Sequence, residues 1–368
     1  MLSFPITITN ISAEDILSMN ISKRSTIKQV AKAAGVSTQT VSRVINNRPD
    51  VAPDTRERIQ QVIEELGYQP SALARSLIQR RSYTLGVVTS GLKYIGPSRT
   101  LNGITSQAEE MGYTLLLKEL ARFDTEDVKP LLQTLLSRYV DGIVWAVPEV
   151  GDNHRWVDTK LAETPVPIVF LTMEKHPDLS IVYIDNYLGA RMAIEHLLQQ
   201  GYKHIGHISG PMDWWESRQR KAGWQAALAD AGIQAVENHC AEGNWSSSSG
   251  ETAFRQLLSQ YPQMDAVFVA NDQMALSVLQ ITCQDRIAVP SQLGVVGFDG
   301  LQETPYYWPP LTTVVQDQYL LGCTVVEEIV HSIETVRSEG VSAKPRAIVI
   351  KPELVVRQSS IRNLQQNL

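Results

Sequence analysis

A chain of 368 residues is too long for one ordinary domain and predicts two or three. With 43% apolar and 20% charged residues it has the composition of a protein with a real core, and no apolar run approaches the roughly 20 residues that a membrane span needs, so no membrane partner is expected. The net charge of −6 conceals a division: residues 22–82 hold 11 Lys and Arg against 5 Asp and Glu, residues 83–368 hold 22 against 32, and a polyanion partner is expected for the head alone.

Residues 1–24 carry no cation before Lys23, and Met1–Ile21 lacks both the basic start and the apolar stretch of a secretory signal. A disordered leader is expected there, or an upstream start codon with Met19 as the true first residue. Cys240, Cys283 and Cys323 are far apart with no CxxC, which fits a reduced, cytoplasmic protein.

Residues 25–69 read as three helices. Ile27, Val30 and Ala31 share one face of a helix over Thr26–Ala33, opened by the capping pair Thr26 and Gln29. Gly35 supplies a tight turn, and Ser37 caps a second helix, Thr38–Asn46, with Val41, Val44 and Ile45 inward. Thr38, Gln39, Ser42 and Arg43 are left outward on the half that enters the major groove of DNA in a helix-turn-helix. Gln suits adenine and Arg suits guanine, while Thr26, Ser37, Thr40 and Asn46 are short donors suited to phosphates. A third helix, Pro53–Leu66, has Pro at its start and Gly67 after its end.

The string TIKQVAKAAGVSTQTVSRVIN closely resembles the DNA-reading segment of the lactose-repressor (LacI/GalR) family of bacterial transcription regulators. One departure is Ala52, where the family more often has a Ser cap. The resemblance implies that residues 70–82 form a hinge helix and linker that order on operator DNA, with Leu77 as an apolar wedge in the minor groove and Ala74 allowing close approach of two hinge helices. Read without it, the segment is a helix of two turns, marginal alone in water.

From Tyr83 the chain alternates strand-length apolar runs with amphipathic segments. Strands are expected at Thr84–Thr89, Thr114–Lys118, Gly142–Val147, Ile168–Leu171, Ile181–Ile184, Ile205–Ser209, Ala266–Val269, Gly294–Gly297 and Ala347–Ile350. Such runs argue for parallel sheets covered on both faces, in two lobes with a cleft at the carboxyl ends of the strands. The fold class expected is therefore a small all-α helix-turn-helix head plus an α/β two-lobed sensor domain over residues 83–358, followed by a tail at 359–368.

VANDQMALSVLQ, VVGFDG and PPLTTVVQDQYLLG resemble the sensor of the same family, whose fold is that of periplasmic sugar-binding proteins. The resemblance runs from Thr26 to about Arg357. It implies Arg220, Asn271 and Asp299 as the main effector-binding groups, Trp245 as a stacking platform, and Ser90 and Gln316 completing the ring. Thr172 stands where the lactose repressors have a sugar-binding Asp, and Asp213-Trp214-Trp215-Glu216 replaces a loop of small residues. Trp214, Trp215 and Glu216 beside a cleft favour a mono- or oligosaccharide effector; a purine, as in other relatives, would also stack on aromatics.

GxSxG, HExxH, P-loop and GxGxxG motifs are absent from the sequence, and His204 and His207 point to opposite faces of a strand. No enzyme activity, cofactor or metal is expected. A solute-binding protein for transport fits the body but not the head. The expected function is a repressor of carbohydrate-utilisation genes, acting in the bacterial nucleoid as a homodimer on palindromic double-stranded DNA. Only 11 residues follow Arg357, with Ile361, Leu364 and Leu368 at loose helical spacing, so a tetramer-forming tail is not expected.

Overall fold

The computed structural model describes residues 25–69, 81–123, 128–157 and 164–362. The chain divides into two compact units, with the cut between Ser82 and Tyr83. The expected leader, the hinge positions Ala74 and Leu77, and the last six residues lie outside the described residues.

The first unit consists of α1 (Ile27–Ala34), α2 (Thr38–Ile45) and α3 (Pro53–Glu65). Its small core gathers Val30, Ala31, Ala34, Val41, Val44 and Ile59, the apolar positions that recur at helical spacing. Thr26 N–H donates to Gln29 Oε1 at 2.7 Å, and Gly35 closes α1 at φ +66°, a left-handed value that a side chain would oppose. Ser37 Oγ accepts from Thr40 N–H at 3.1 Å and caps α2. Ala52 leaves α3 without a side-chain cap.

The second unit runs in chain order through β1 (Thr84–Ser90), α4 (Ile95–Glu110), β2 (Thr114–Leu120), α5 (Lys129–Leu136), β3 (Gly142–Ala146), β4 (Ile168–Leu171) and β5 (Ser180–Ile184). It continues through α6 (Asn186–Gln199), β6 (Ile205–Ser209), α7 (Trp215–Asp230), β7 (Cys240–Glu242), α8 (Ser247–Gln260), β8 (Ala266–Val269) and α9 (Asp272–Gln284). The last elements are β9 (Gly294–Asp299), β10 (Thr312–Val315), α10 (Gln318–Glu339), β11 (Ala347–Ile350) and β12 (Glu353–Val355).

Two six-stranded sheets result, ordered β11-β5-β4-β3-β1-β2 and β12-β10-β9-β8-β6-β7. All pairs are parallel except β10 with β12. The chain crosses between the sheets three times, from β5 to α6, from β10 to α10 and from β11 to β12, which makes two lobes. The central strands IVW, IVFL, AVFV and GVVGF are buried on both faces because helices cover each sheet on both sides.

Three strands were not expected from periodicity. β7 and β12 are three-residue edge strands, too short to show a pattern. β10 buries Thr312 and Thr313, whose hydroxyls are paired, Thr313 donating to Asp272 Oδ1 at 2.6 Å. The first residues of the expected tail pack against the second lobe. Ser359 and Ser360 are fully buried in the second lobe, where Ser359 Oγ donates to the Val295 carbonyl at 2.6 Å and Ser360 Oγ lies 2.7 Å from His196 Nε2.

Candidate functional site

On the first unit, α2 buries Val41 and Val44 and leaves Thr38, Gln39 and Arg43 exposed. Ser42 and Asn46 are half-buried, joined by the Asn46 amide donating to the Ser42 carbonyl at 2.8 Å. Ser37 and Thr40 share a hydroxyl contact of 2.9 Å at the start of α2, and Thr26 is exposed at the start of α1. Arg43 lies 3.5 Å from Asp50, an exposed pair worth under about 1 kcal/mol, so it can be given up for a stronger partner. The outward face is thus polar and carries one cation, Arg43.

On the second unit, a solvent-open cavity lies between the lobes. The first lobe lines it with Thr89 at the end of β1, Tyr94, Thr100 and Ile104 of α4 and its approach, and Thr172 directly after β4. The second lobe contributes Trp214, Glu216 and Arg220 at the start of α7, Trp245, Asn271, and Asp299 at the end of β9. Gln316 and Gln318 come from a crossover. Most of these positions follow the carboxyl end of a strand, where parallel sheets leave backbone groups and loops free to meet a ligand.

Arg220 is the centre of the polar wall. Its side chain is 5% exposed, with the guanidinium 3.9 Å from the Phe298 ring centre and 5.4 Å from that of Trp245. Nε donates to Asn186 Oδ1 at 2.8 Å, Nη1 donates to the Ala270 carbonyl, and Nη1 lies 3.5 Å from Asp299 Oδ1. Burial works against the guanidinium charge, and Asp299 and Glu216 offset it. Gln316 Nε2 donates to Asp299 Oδ1 at 2.7 Å, so the carboxylate is oriented by two neighbours. Asn271 spends its amide locally, accepting from Met274 N–H at 2.9 Å as the cap of α9 and donating to the Trp245 carbonyl at 3.0 Å. It therefore ties down the backbone of Trp245 as well as facing the cavity.

Thr172, Trp245 and Asp299, all lining the cavity, have φ values of +50°, +72° and +109°. Side chains rarely adopt these values, and strain of this kind persists where the surroundings over-determine it, as at binding sites.

Glu216 is buried, and its Oε2 has no hydrogen-bond partner. Burial pushes its pKa up to about 7, against the pull of Arg220. Between the ordinary value near 4.5 and about 7 the folded chain keeps a proton that the unfolded chain has shed, so stability falls as pH rises through that window. Asp272 shifts in the same direction, through burial and the neighbouring Asp299 charge. Melts of the wild type should therefore drop between pH 5 and pH 8, and Glu216→Gln should flatten part of that drop, on the order of 3 kcal/mol at most. An unchanged slope in the variant, followed by circular dichroism, would remove Glu216 from this role.

Two expected effector residues stand apart from the cavity. Ser90 donates its hydroxyl to the Leu120 carbonyl at 3.1 Å, a bond that ties β1 to β2, and its neighbour Thr89 faces the cavity instead. Trp215 points away from Trp214, because the two begin a helix whose successive side chains diverge; its indole is 5% exposed among first-lobe side chains, edge-on to Tyr183. Tyr94, Thr89, Gln273 and Gln318 also line the cavity, although nothing in their local sequence marks them. His207 is a core residue: its imidazole lies between Phe268 and Trp224, with pKa lowered to about 3 by burial.

This geometry can be set beside known proteins. The model of the bacterial regulatory proteins, lacI family, matches residues 26–71, and a periplasmic binding protein-like domain matches residues 194–360. The lactose operon repressor of Escherichia coli (strain K12) is 33% identical over 324 residues, covering 88% of this chain and 89% of that protein. The chain belongs to the lacI family. Among solved structures, the lac repressor dimer bound to operator and the anti-inducer ONPF superposes with a TM-score of 0.81 at 32% identity, over 92% of this chain and all of that one. The transcriptional regulator CelR in complex with cellobiose matches with a TM-score of 0.67 at 31% identity, over 91% of this chain and all of that one. The protein is thus a transcription regulator with a helix-turn-helix region and a two-sheet α/β sensor. Among the described residues no helix is long and apolar enough to cross a membrane.

Proposed function

We propose that this lacI-family protein is a cytoplasmic, homodimeric repressor that binds palindromic operator DNA through Gln39 and Arg43, and whose operator affinity is set by a saccharide bound between the sensor lobes. The carrying observation is the Arg220–Asp299 pair flanked by Trp245 in the interlobe cavity. A guanidinium fork and a carboxylate side by side bind vicinal hydroxyls as donor and acceptor, while an indole stacks on the apolar face of a ring. The similarity to CelR, solved with cellobiose, and to the lactose operon repressor is in keeping with a sugar effector. For the dimer, Tyr306 and Trp308 leave large apolar side chains exposed, as an interface needs, and the structurally similar lac repressor is a dimer on its operator. Thr38 and Ser42 lie on the same half of α2 as the two base-reading side chains, and Thr26, Ser37, Thr40 and Asn46 hold phosphates around them.

Selection of duplexes from a random pool by the full chain tests the DNA half. Gln39→Ala and Arg43→Ala should each weaken the selected duplex about 10- to 100-fold, corresponding to about 1–3 kcal/mol per lost bidentate contact, with little change on random DNA. Absence of any preference over random competitor at moderate salt sinks the reading.

A further inference from the structure

Beyond the three crossovers, the lobes are joined a fourth time, by side chains and backbone of two loops. Val150, after β3, pairs with Trp214, before α7, as an antiparallel bridge. Gly151 N–H donates to the Asp213 carbonyl at 2.9 Å, and Trp215 N–H donates to the Glu149 carbonyl at 3.0 Å. Glu149, 3% exposed, accepts from Arg218 Nη2 at 2.7 Å through Oε1 and from Glu174 N–H at 2.8 Å through Oε2. Arg218 Nη1 in turn donates to the Asp213 carbonyl at 2.8 Å. Trp215 completes the junction by entering the first lobe's core.

The geometry points to this junction as a latch that holds the lobes closed and positions Trp214 and Glu216 in the cavity, with Glu149, Arg218 and Trp215 as its positioning residues. The positioning half rests on the cavity being the effector site. β3 lies two strands from the crossover strand β5, and β6, which leads into the latch loop, lies three strands from β10. At about 4.8 Å per strand the latch sits about 10–15 Å from the crossover edge, so the lobes cannot open about the crossovers without breaking it. Opening withdraws Trp215 from an apolar core and strips a buried carboxylate of its cation, both costly. Trp214 and Glu216 flank Trp215 in the chain and line the cavity, whereas Glu149 and Arg218 do not. A ligand touching the first pair therefore acts on a segment whose other contacts set the lobe angle.

Amide hydrogen exchange on the full chain without ligand tests the latch. In the wild type, Gly151 and Trp215 should exchange far more slowly than exposed loops. Arg218→Met and Glu149→Gln should each speed both amides at least tenfold, leave Val267–Val269 of β8 unchanged, and combine to no more than either alone, because they break one pair. Arg218→Lys, which keeps the charge, should fall closer to the wild type. Loop-like exchange in the wild type, additive effects, or equal acceleration in β8 overturns the latch. A second arm uses cellobiose as the probe: both variants should bind it at least tenfold more weakly although neither residue lines the cavity, and unchanged affinity overturns the positioning role. If the wild type does not bind cellobiose, the saccharide reading loses its support in this ligand, while the exchange arm still decides the latch.

Discussion

Arg220→Ala should abolish effector binding while leaving the DNA-reading face of α2 intact. The guanidinium touches both flanking aromatic rings, Asn186, the Ala270 carbonyl and Asp299, so no neighbour can replace it. In a thermal-shift screen against lactose, cellobiose and free purines, the wild type should gain about 2.7 kcal/mol at 100-fold the dissociation constant of a true effector. The alanine variant should gain nothing. It also leaves the partly buried Asp299 without its cation, at a cost approaching the roughly 3–5 kcal/mol of a fully buried pair. For a domain of this size that is a fall in Tm of about 10 °C. Arg220→Lys separates the two effects, because it keeps the charge near Asp299 but loses the fork. It should recover much of the stability and little of the binding. A shift retained in either variant would take Arg220 out of the effector site, and a shift with purines alone would replace the saccharide by a purine.

Gly322→Ala should destabilise the sensor by the upper end of what overpacking costs, about 3 kcal/mol or more. A Cβ placed at Gly322 would lie 2.2 Å from the Thr100 carbonyl oxygen and 2.7 Å from the Ile104 backbone nitrogen. On the facing helix, a Cβ at Gly103 would lie 2.1 Å from the Tyr319 carbonyl oxygen. α4 and α10 therefore cross backbone to backbone, and a helix backbone cannot yield as a side chain tip can. α4 also carries Thr100 and Ile104 into the cavity, and Thr100 Oγ1 donates to Gln318 Oε1 at 2.7 Å. Forcing the helices apart should thus weaken effector binding along with stability. Denaturant titration reads the first effect, and a variant as stable as the wild type would refute this packing argument.

The helix-turn-helix unit was legible in the sequence almost to the residue. Its information is local: a capping pair at Thr26 and Gln29, a left-handed turn at Gly35, a cap at Ser37, and apolar residues at helical spacing. The buried parallel strands were legible for a similar reason, as continuous apolar runs. The edge strands β7 and β12 were not, because three residues carry no period.

The cavity divides the same way. Resemblance carried Arg220, Asn271, Asp299, Trp245 and Gln316 to positions that line one cavity, yet sequence alone determined only that such residue types follow strands in a two-lobed fold. Which of two adjacent tryptophans faces the cavity was decided by the tertiary structure, since Trp214 and Trp215 are chemically identical and differ only in where the start of α7 aims them. The same holds for Thr89 against Ser90 at the end of β1, where alternation along the strand puts one side chain in the cavity and the other against β2. Glu149 and Arg218 are 69 residues apart and carry no motif; their pairing exists only because three crossovers fold one lobe over the other. Short-range chemistry is written in neighbouring residues, whereas the direction of a side chain and the identity of its distant partner emerge only once the sheets have closed on each other.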